Sequence, residues 1–325
     1  MPVNGLTDGM AVTEKNPEKR EKKSLLLTLL KLAVGIAALV LLFVWVDWRE
    51  AWATMTTAHP AWLALGGFIV LVVWSLDALR LHWMTPIDGL PYRTHFSLAL
   101  QSAFVMQFGF GVFSGDGYRI AGYALKSGKV FKPAAHLFAS RLAGFTTVAL
   151  TAVMLSLWLI LLGEAAFLDT GKSIILSVAI AGLIAVAVLL VAWLIFRGRR
   201  VPRWVDEARA AMKTITFRIW VLSLVMTILR GLSFACILYG LGMRIEFFVP
   251  LLANVSATLT ALLPVFGGIG VREGAYTGIT SLFGIAPAVG LSAAILMRFV
   301  TLIATSFGLL LTLGLDTGNQ KNATT

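Results

Sequence analysis

The chain has 325 residues, is 58% apolar, has a mean hydropathy of +0.86 and carries a formal net charge of +11. Those values exclude an ordinary soluble protein and point to an integral membrane bundle along the whole length, with no expected room for a soluble catalytic domain. The single cysteine, Cys236, forms no intrachain disulfide and reads as a small packing residue in an apolar run.

In chain order, residues 1–23 are polar and basic and predict a disordered cytoplasmic N-terminus. Residues 24–46 follow as an uncleaved signal anchor, because the apolar run is too long for a cleaved signal. Full spans are predicted at 25–46, 60–83, 134–163, 172–197, 218–241 and 287–314. Between them, 47–58 reads as a short surface helix and 201–215 as an amphipathic cytoplasmic helix, serving as a connector or a headgroup binder. Two further apolar stretches are interrupted: 96–113 by Gly109, Gly111, Gly115 and Gly117, and 247–284 by Pro264, Gly267, Gly268 and Gly270.

Basic residues set the orientation. Lys15, Lys19, Arg20, Lys22 and Lys23 precede the first span; Lys126, Lys129 and Lys132 follow the first broken stretch; Arg197, Arg199, Arg200, Arg203, Arg209 and Lys213 form a third cluster. The positive-inside rule then puts both termini in the cytoplasm of an inner-membrane, multi-pass protein. The first broken stretch becomes a re-entrant hairpin from inside and the second one from outside. The fold class is therefore an all-α polytopic membrane protein, with six full transmembrane helices plus two re-entrant hairpins arranged as an inverted repeat. Its expected divisions are 24–171 for the first repeat, 172–315 for the second and 316–325 for a cytoplasmic tail.

The repeat is visible in the residues. Val112-Phe113-Ser114-Gly115-Asp116-Gly117-Tyr118-Arg119 and Val265-Phe266-Gly267-Gly268-Ile269-Gly270-Val271-Arg272 share V-F-x-G-x-G-x-R, and a tyrosine follows each, at Tyr123 and Tyr276, 153 positions apart. Gly-interrupted segments in corresponding halves point to a transporter binding site.

Charges predicted inside the membrane are Asp77, Arg80, Asp116, Arg119, Arg141, Arg230, Arg272, Glu273 and Arg298, six arginines against three carboxylates. Such groups are costly there and default to function. The excess positive charge suits a guest with negative charge, and the planar arginine fork suits phosphate. Arg80 and Arg230 are expected to snorkel to water. Arg119, Arg141, Arg272 and Arg298 are expected to form two symmetry-related pairs around one cavity. Gly115, Gly117, Gly267, Gly268 and Gly270 are expected to turn the backbone and present N–H groups to an anion. Gln101, Gln107, Asn254 and Thr260 can bond a headgroup or satisfy broken-helix backbone, and most are assigned to the backbone.

The expected substrate-binding set is thus Gly115, Asp116, Gly117, Arg119, Arg141, Gly267, Gly268, Gly270, Arg272, Glu273 and Arg298. No catalytic residue, metal or cofactor is expected: there is no P-loop, zinc cluster or G-x-S-x-G elbow, and His59, His82, His95 and His136 are scattered. Basic clusters split among loops give no nucleic-acid footprint, and anionic headgroups of the cytoplasmic leaflet are the simpler partner. A homo-oligomer is compatible with the sequence.

Three blocks carry a family resemblance: Phe113-Ser114-Gly115-Asp116-Gly117-Tyr118-Arg119, Ser140-Arg141-Leu142-Ala143-Gly144, and Leu263-Pro264-Val265-Phe266-Gly267-Gly268-Ile269-Gly270-Val271-Arg272-Glu273-Gly274. Over roughly residues 25–314 the chain resembles the transmembrane, flippase-like region of the lysylphosphatidylglycerol synthase family. The last block is close to that family's L-P-x-x-x-G-G-x-G-x-R-E-G, whereas Phe110-Gly111-Val112-Phe113 replaces its commoner Pro-Gly opening. The resemblance implies a stand-alone flippase without the aminoacyl-transferase domain, moving an anionic or zwitterionic phospholipid or a polyprenyl-phosphate-type lipid between leaflets. A membrane-embedded enzyme or an accessory subunit of lipid or lipid-linked glycan synthesis is the alternative.

Overall fold

A computed structural model describes residues 47–85, 90–108, 112–162, 203–260 and 270–321. The predicted spans 25–46 and 172–197, the N-terminal segment, and Gly109, Gly111, Pro264, Gly267 and Gly268 lie outside the described residues. Everything with regular structure among the described residues is helical.

The first half comprises α1 (Trp48–Thr56), α2 (Pro60–Met84), α3 (Tyr92–Phe108), α4 (Val112–Ser127) and α5 (Phe131–Leu162). The second comprises α6 (Arg203–Lys213), α7 (Phe217–Gly240), α8 (Phe248–Thr260), α9 (Val271–Leu282) and α10 (Pro287–Lys321). Paired in order, the elements start 155, 157, 156, 159 and 156 residues apart. Their punctuation also recurs. Gly128 (φ +67°) and Gly284 (φ +77°) carry the chain out of each helical hairpin into the long helix that follows, a left-handed turn that only glycine adopts without strain.

Local chemistry explains the boundaries. The Asp47 carboxylate accepts from the N–H groups of Arg49 and Glu50 at 2.9 and 3.3 Å and so opens α1. Pro60 and Pro287 open α2 and α10, where their missing N–H is harmless. Among the described residues, four helices are long and apolar enough to cross a membrane: Pro60–Met84, Phe131–Leu159, Phe217–Gly240 and Pro287–Phe307. Their outward faces keep large apolar side chains exposed, such as Phe68, Met154, Leu161, Leu232 and Ile303. In water that would be an aggregation hazard; against lipid it is the required surface.

Lipid supplies no hydrophobic drive between helices, so close backbone approach has to hold them. Helices α2 and α7 pack along their lengths, and the contacts fix their direction. The His59 N–H donates to the Gly240 carbonyl (2.8 Å), the Ser233 hydroxyl to the Gly66 carbonyl (2.9 Å), and Arg80 to Ser223 (3.0 Å). Ascending numbers on one helix meet descending numbers on the other, so the pair is antiparallel. Small residues make the approach possible: a Cβ on Gly66 would stand 3.3 Å from the Ser233 carbonyl oxygen. The halves also exchange partners. Helix α3 packs on α10 and α8 on α5, while α1 packs on α10 and α6 on α5. The apolar face of α6 is covered accordingly, with buried Ala211 and neighbouring Met212 and Ile215 against Met84, Ala139 and Ile219.

Both broken stretches are helical hairpins, α3–α4 and α8–α9, but Gly115 and Gly117 are not where the first one breaks. Helix α4 already starts at Val112, so Gly115 and Gly117 lie within it and do not turn the backbone. Gly115 is a packing residue, since a Cβ there would stand 2.7 Å from the Ser102 carbonyl oxygen on α3; at Gly117 nothing lies within 4 Å. Gly115→Ala should therefore force the hairpin apart and cost about 1–3 kcal/mol. Gly117→Ala should be neutral or stabilise by about 1 kcal/mol, as alanine favours helix interiors. Thermal unfolding of the two variants in detergent distinguishes packing from a backbone turn, which would penalise both.

Candidate functional site

The intramembrane charges organise into three ion-paired groups and a cavity. Asp77 on α2 is 1% exposed and bridges two arginines. Its Oδ1 takes Arg80, one turn on, at 2.8 Å, and its Oδ2 takes Arg119 of α4 at 2.6 Å. Asp116 of α4 holds Arg141 of α5 through both oxygens, with Nε at 3.1 Å from each and Nη2 at 2.7 Å from Oδ1. Glu273 of α9 holds Arg298 of α10 at 2.7 Å and also accepts the Gly270 N–H at 2.8 Å. Asp116–Arg141 and Glu273–Arg298 are the same device in the two halves, each pairing residues 25 apart. In both, the second helix of a hairpin is pinned to the long helix that follows. Gly270, at φ +84°, supplies the turn that starts α9.

Between α2, α3, α4, α5, α7, α8, α9 and α10 lies a cavity of about 130 Å³, large enough for several water-sized groups. Four arginines line it: Arg80, Arg141, Arg230 and Arg272. No Asp or Glu lines it among the described residues. Arg80 and Arg141 bring their own carboxylates, Asp77 and Asp116. Arg230 and Arg272 have no carboxylate ion pair among the described residues; the Arg272 guanidinium lies 5.7 Å from the centre of the Tyr276 ring. Asn254 also faces the cavity and is 2% exposed. Its Oδ1 accepts from the Tyr276 hydroxyl at 3.3 Å, while its Nδ2 has no partner among the described residues. A buried amide donor without an acceptor is costly unless something occupies the space before it.

The expected set is therefore brought together only in part. Arg141 and Arg272 line the cavity. Arg119 and Arg298 are held in ion pairs and do not line it. Asp116 and Glu273 act behind it, as anchors of arginines, and Glu273 pairs with Arg298 and not with its neighbour Arg272. Arg80 and Arg230 do not snorkel outward as expected: Arg80 is 3% exposed, and both line the cavity.

Asn254, which the sequence offers as a headgroup or backbone partner, lies at the cavity, and sequence reasoning missed Gly144 as the space for Arg80, where a Cβ would stand 2.9 Å from Nη1. It also missed that the fold collects two of the scattered histidines. His82 and His95 rings stack edge-on at 5.0 Å, and the His95 Nδ1 bonds the Tyr123 hydroxyl at 2.8 Å.

An all-α bundle with apolar outer faces and an arginine-lined cavity defines a multi-pass membrane protein with an internal polar site. A family model matches residues 28–308, and the chain belongs to that family, the lysylphosphatidylglycerol synthase TM region. Comparison with curated proteins found no match.

Proposed function

We propose that this protein moves an anionic lipid across the inner membrane, holding the headgroup in the arginine-lined cavity while the tails remain in lipid. Arg230 and Arg272, which line the cavity with no carboxylate ion pair among the described residues, carry this reading: in low dielectric, uncompensated positive charge is stable only with an anion beside it. Family membership ties the chain to lipid metabolism in the membrane. The recurrence of five elements, the antiparallel α2–α7 pair and the exchange of α3 and α8 between halves favour an inverted repeat. On this reading six helices span the membrane, both termini are cytoplasmic, and α3–α4 and α8–α9 are re-entrant hairpins gating from opposite faces. Pinning of each hairpin by Asp116–Arg141 or Glu273–Arg298 gives each gate a defined resting position.

The rival reading, an enzyme acting on a lipid phosphate, requires a base at the cavity. Asp77, Asp116 and Glu273 are each engaged with arginine, which favours transport over catalysis.

The test is a proteoliposome assay with a fluorescent phosphatidylglycerol, read by quenching of outer-leaflet probe. Purified protein is expected to expose the inner-leaflet pool to the quencher without changing the lipid chemically, and Arg141→Ala to prevent this. Conversion of the lipid, or transport unaffected by Arg141→Ala, would defeat the proposal.

A further inference from the structure

The two halves share sequence positions at the site but do not treat them alike. Counted back from the motif arginines Arg119 and Arg272, Asp77 and Arg230 each stand 42 residues earlier and Gln101 and Asn254 each 18 residues earlier, although the helices that carry them start 156 or 157 residues apart. In the first half Asp77 and Gln101 are both engaged. Asp77 neutralises Arg119 at 2.6 Å, and the Gln101 amide is engaged at both ends, donating to Ser97 at 2.8 Å and accepting from Tyr118 at 2.9 Å. The second half puts an arginine where the first has its aspartate. Arg272 consequently shares a cavity with Arg230 instead of meeting a carboxylate. The Asn254 oxygen is anchored by Tyr276, which fixes its orientation, and the amide nitrogen is left unpartnered at the cavity. Two guanidiniums and an amide donor thus converge where the other half has a complete ion pair.

We infer that the second half holds a phosphate group between Arg230, Arg272 and Asn254, in the role that Asp77 fills in the first half, and that this group is the end of a lipid headgroup bearing a phosphomonoester and no amine. This rests on the proposed transport function and names its substrate class. Charge decides the class. Among the described residues, Arg80, Arg141, Arg230 and Arg272 line the cavity, Asp77 is shared between Arg80 and Arg119, which does not line the cavity, and Asp116 holds Arg141, so these five arginines and two aspartates leave a formal excess of three positive charges. A phosphodiester offsets one of them, whereas a phosphomonoester carries about −1.5 to −2 at neutral pH. An ammonium on the headgroup would add a like charge with no carboxylate at the cavity wall to receive it, which disfavours choline, ethanolamine and aminoacyl headgroups. Arginine forks and an amide N–H supply donors only, matching the acceptor-only oxygens of a phosphate.

The experiment measures binding of short-chain lipids to the purified full-length protein in detergent. Phosphatidic acid is compared with phosphatidylcholine and aminoacylated phosphatidylglycerol, and inorganic pyrophosphate serves as a competitor. Two variants build the missing carboxylate into the second half: Arg230→Asp copies the first-half arrangement, and Asn254→Asp is isosteric and keeps the Tyr276 hydrogen bond, so it remains informative if the former folds poorly. Wild-type protein is expected to prefer phosphatidic acid, and each variant to weaken that binding about 10-fold or more, the effect of one charge-assisted hydrogen bond, with the melting temperature retained. Gln101→Glu, the matching change in the first half, should leave binding unaltered. Equal or better binding of the amine-bearing lipids overturns the substrate class. Undiminished phosphatidic acid binding by both variants overturns the placement while leaving lipid transport standing. Displacement by pyrophosphate at equal concentration would make a free anion, and not a lipid, the ligand. Failure of the wild type to bind any phospholipid would instead count against the transport function itself.

Discussion

Replacing Asp77 by alanine is expected to destabilise the protein by about 3–5 kcal/mol, the cost of stripping the partner from a buried ion pair. The site is severe because one carboxylate serves two cations. Arg80 is 3% and Arg119 1% exposed, and both direct a nitrogen at Asp77 within 2.8 Å. Without it, two guanidiniums are left in a helix interface with no acid beside them, and α2 loses its tie to α4. Unfolding in denaturant, with the wild type as reference, measures the loss. Adding Arg119→Met to Asp77→Ala should recover part of it, because groups in one network do not act additively. Wild-type stability of Asp77→Ala would mean that water or lipid phosphate reaches this site.

Arg272→Ala should behave oppositely, removing lipid binding while the fold survives. Its guanidinium faces the cavity and makes no carboxylate ion pair among the described residues, so truncation leaves no acid unpaired there. The stability lost is the ring contact with Tyr276 at 5.7 Å, about 0.5–1 kcal/mol for such a pair. Affinity for an anionic lipid should fall about 10–100-fold, as expected when hydrogen bonds to a charged group are removed. Arg298→Ala provides the contrast, since it strands Glu273, which is 7% exposed and also holds the start of α9. That variant should unfold more easily. Should Arg272→Ala be the unstable one, with unchanged lipid affinity in what remains folded, the cavity is structural and the transport reading fails.

Much of the architecture was legible in the chain because the bilayer imposes length and periodicity. The helices predicted at 60–83 and 218–241 form as Pro60–Met84 and Phe217–Gly240, and both short helices, 47–58 and 201–215, form as α1 and α6. Apolar runs of span length have little choice but helix in lipid, where each backbone group must be satisfied internally. The ends moved for local reasons. Helix α10 runs past the expected boundary at 315 to Lys321, and α4 begins at Val112, so the glycines 115 and 117 fall inside it.

By itself, then, the sequence determined that this is a helical membrane protein carrying an arginine-bearing motif twice, because hydropathy, composition and motif spacing are properties of the chain alone. Only the tertiary structure decided which arginines are ion-paired among the described residues. Pairing depends on distances between helices far apart in sequence: Asp77 reaches Arg119 across 42 positions and Asp116 reaches Arg141 across 25. A count of six arginines against three acids registers the excess charge but cannot assign it. Packing of α4 against α2 commits Arg119 to Asp77, the hairpin contact of α9 with α10 commits Arg298 to Glu273, and Arg230 and Arg272 are left facing the cavity with the Asn254 amide.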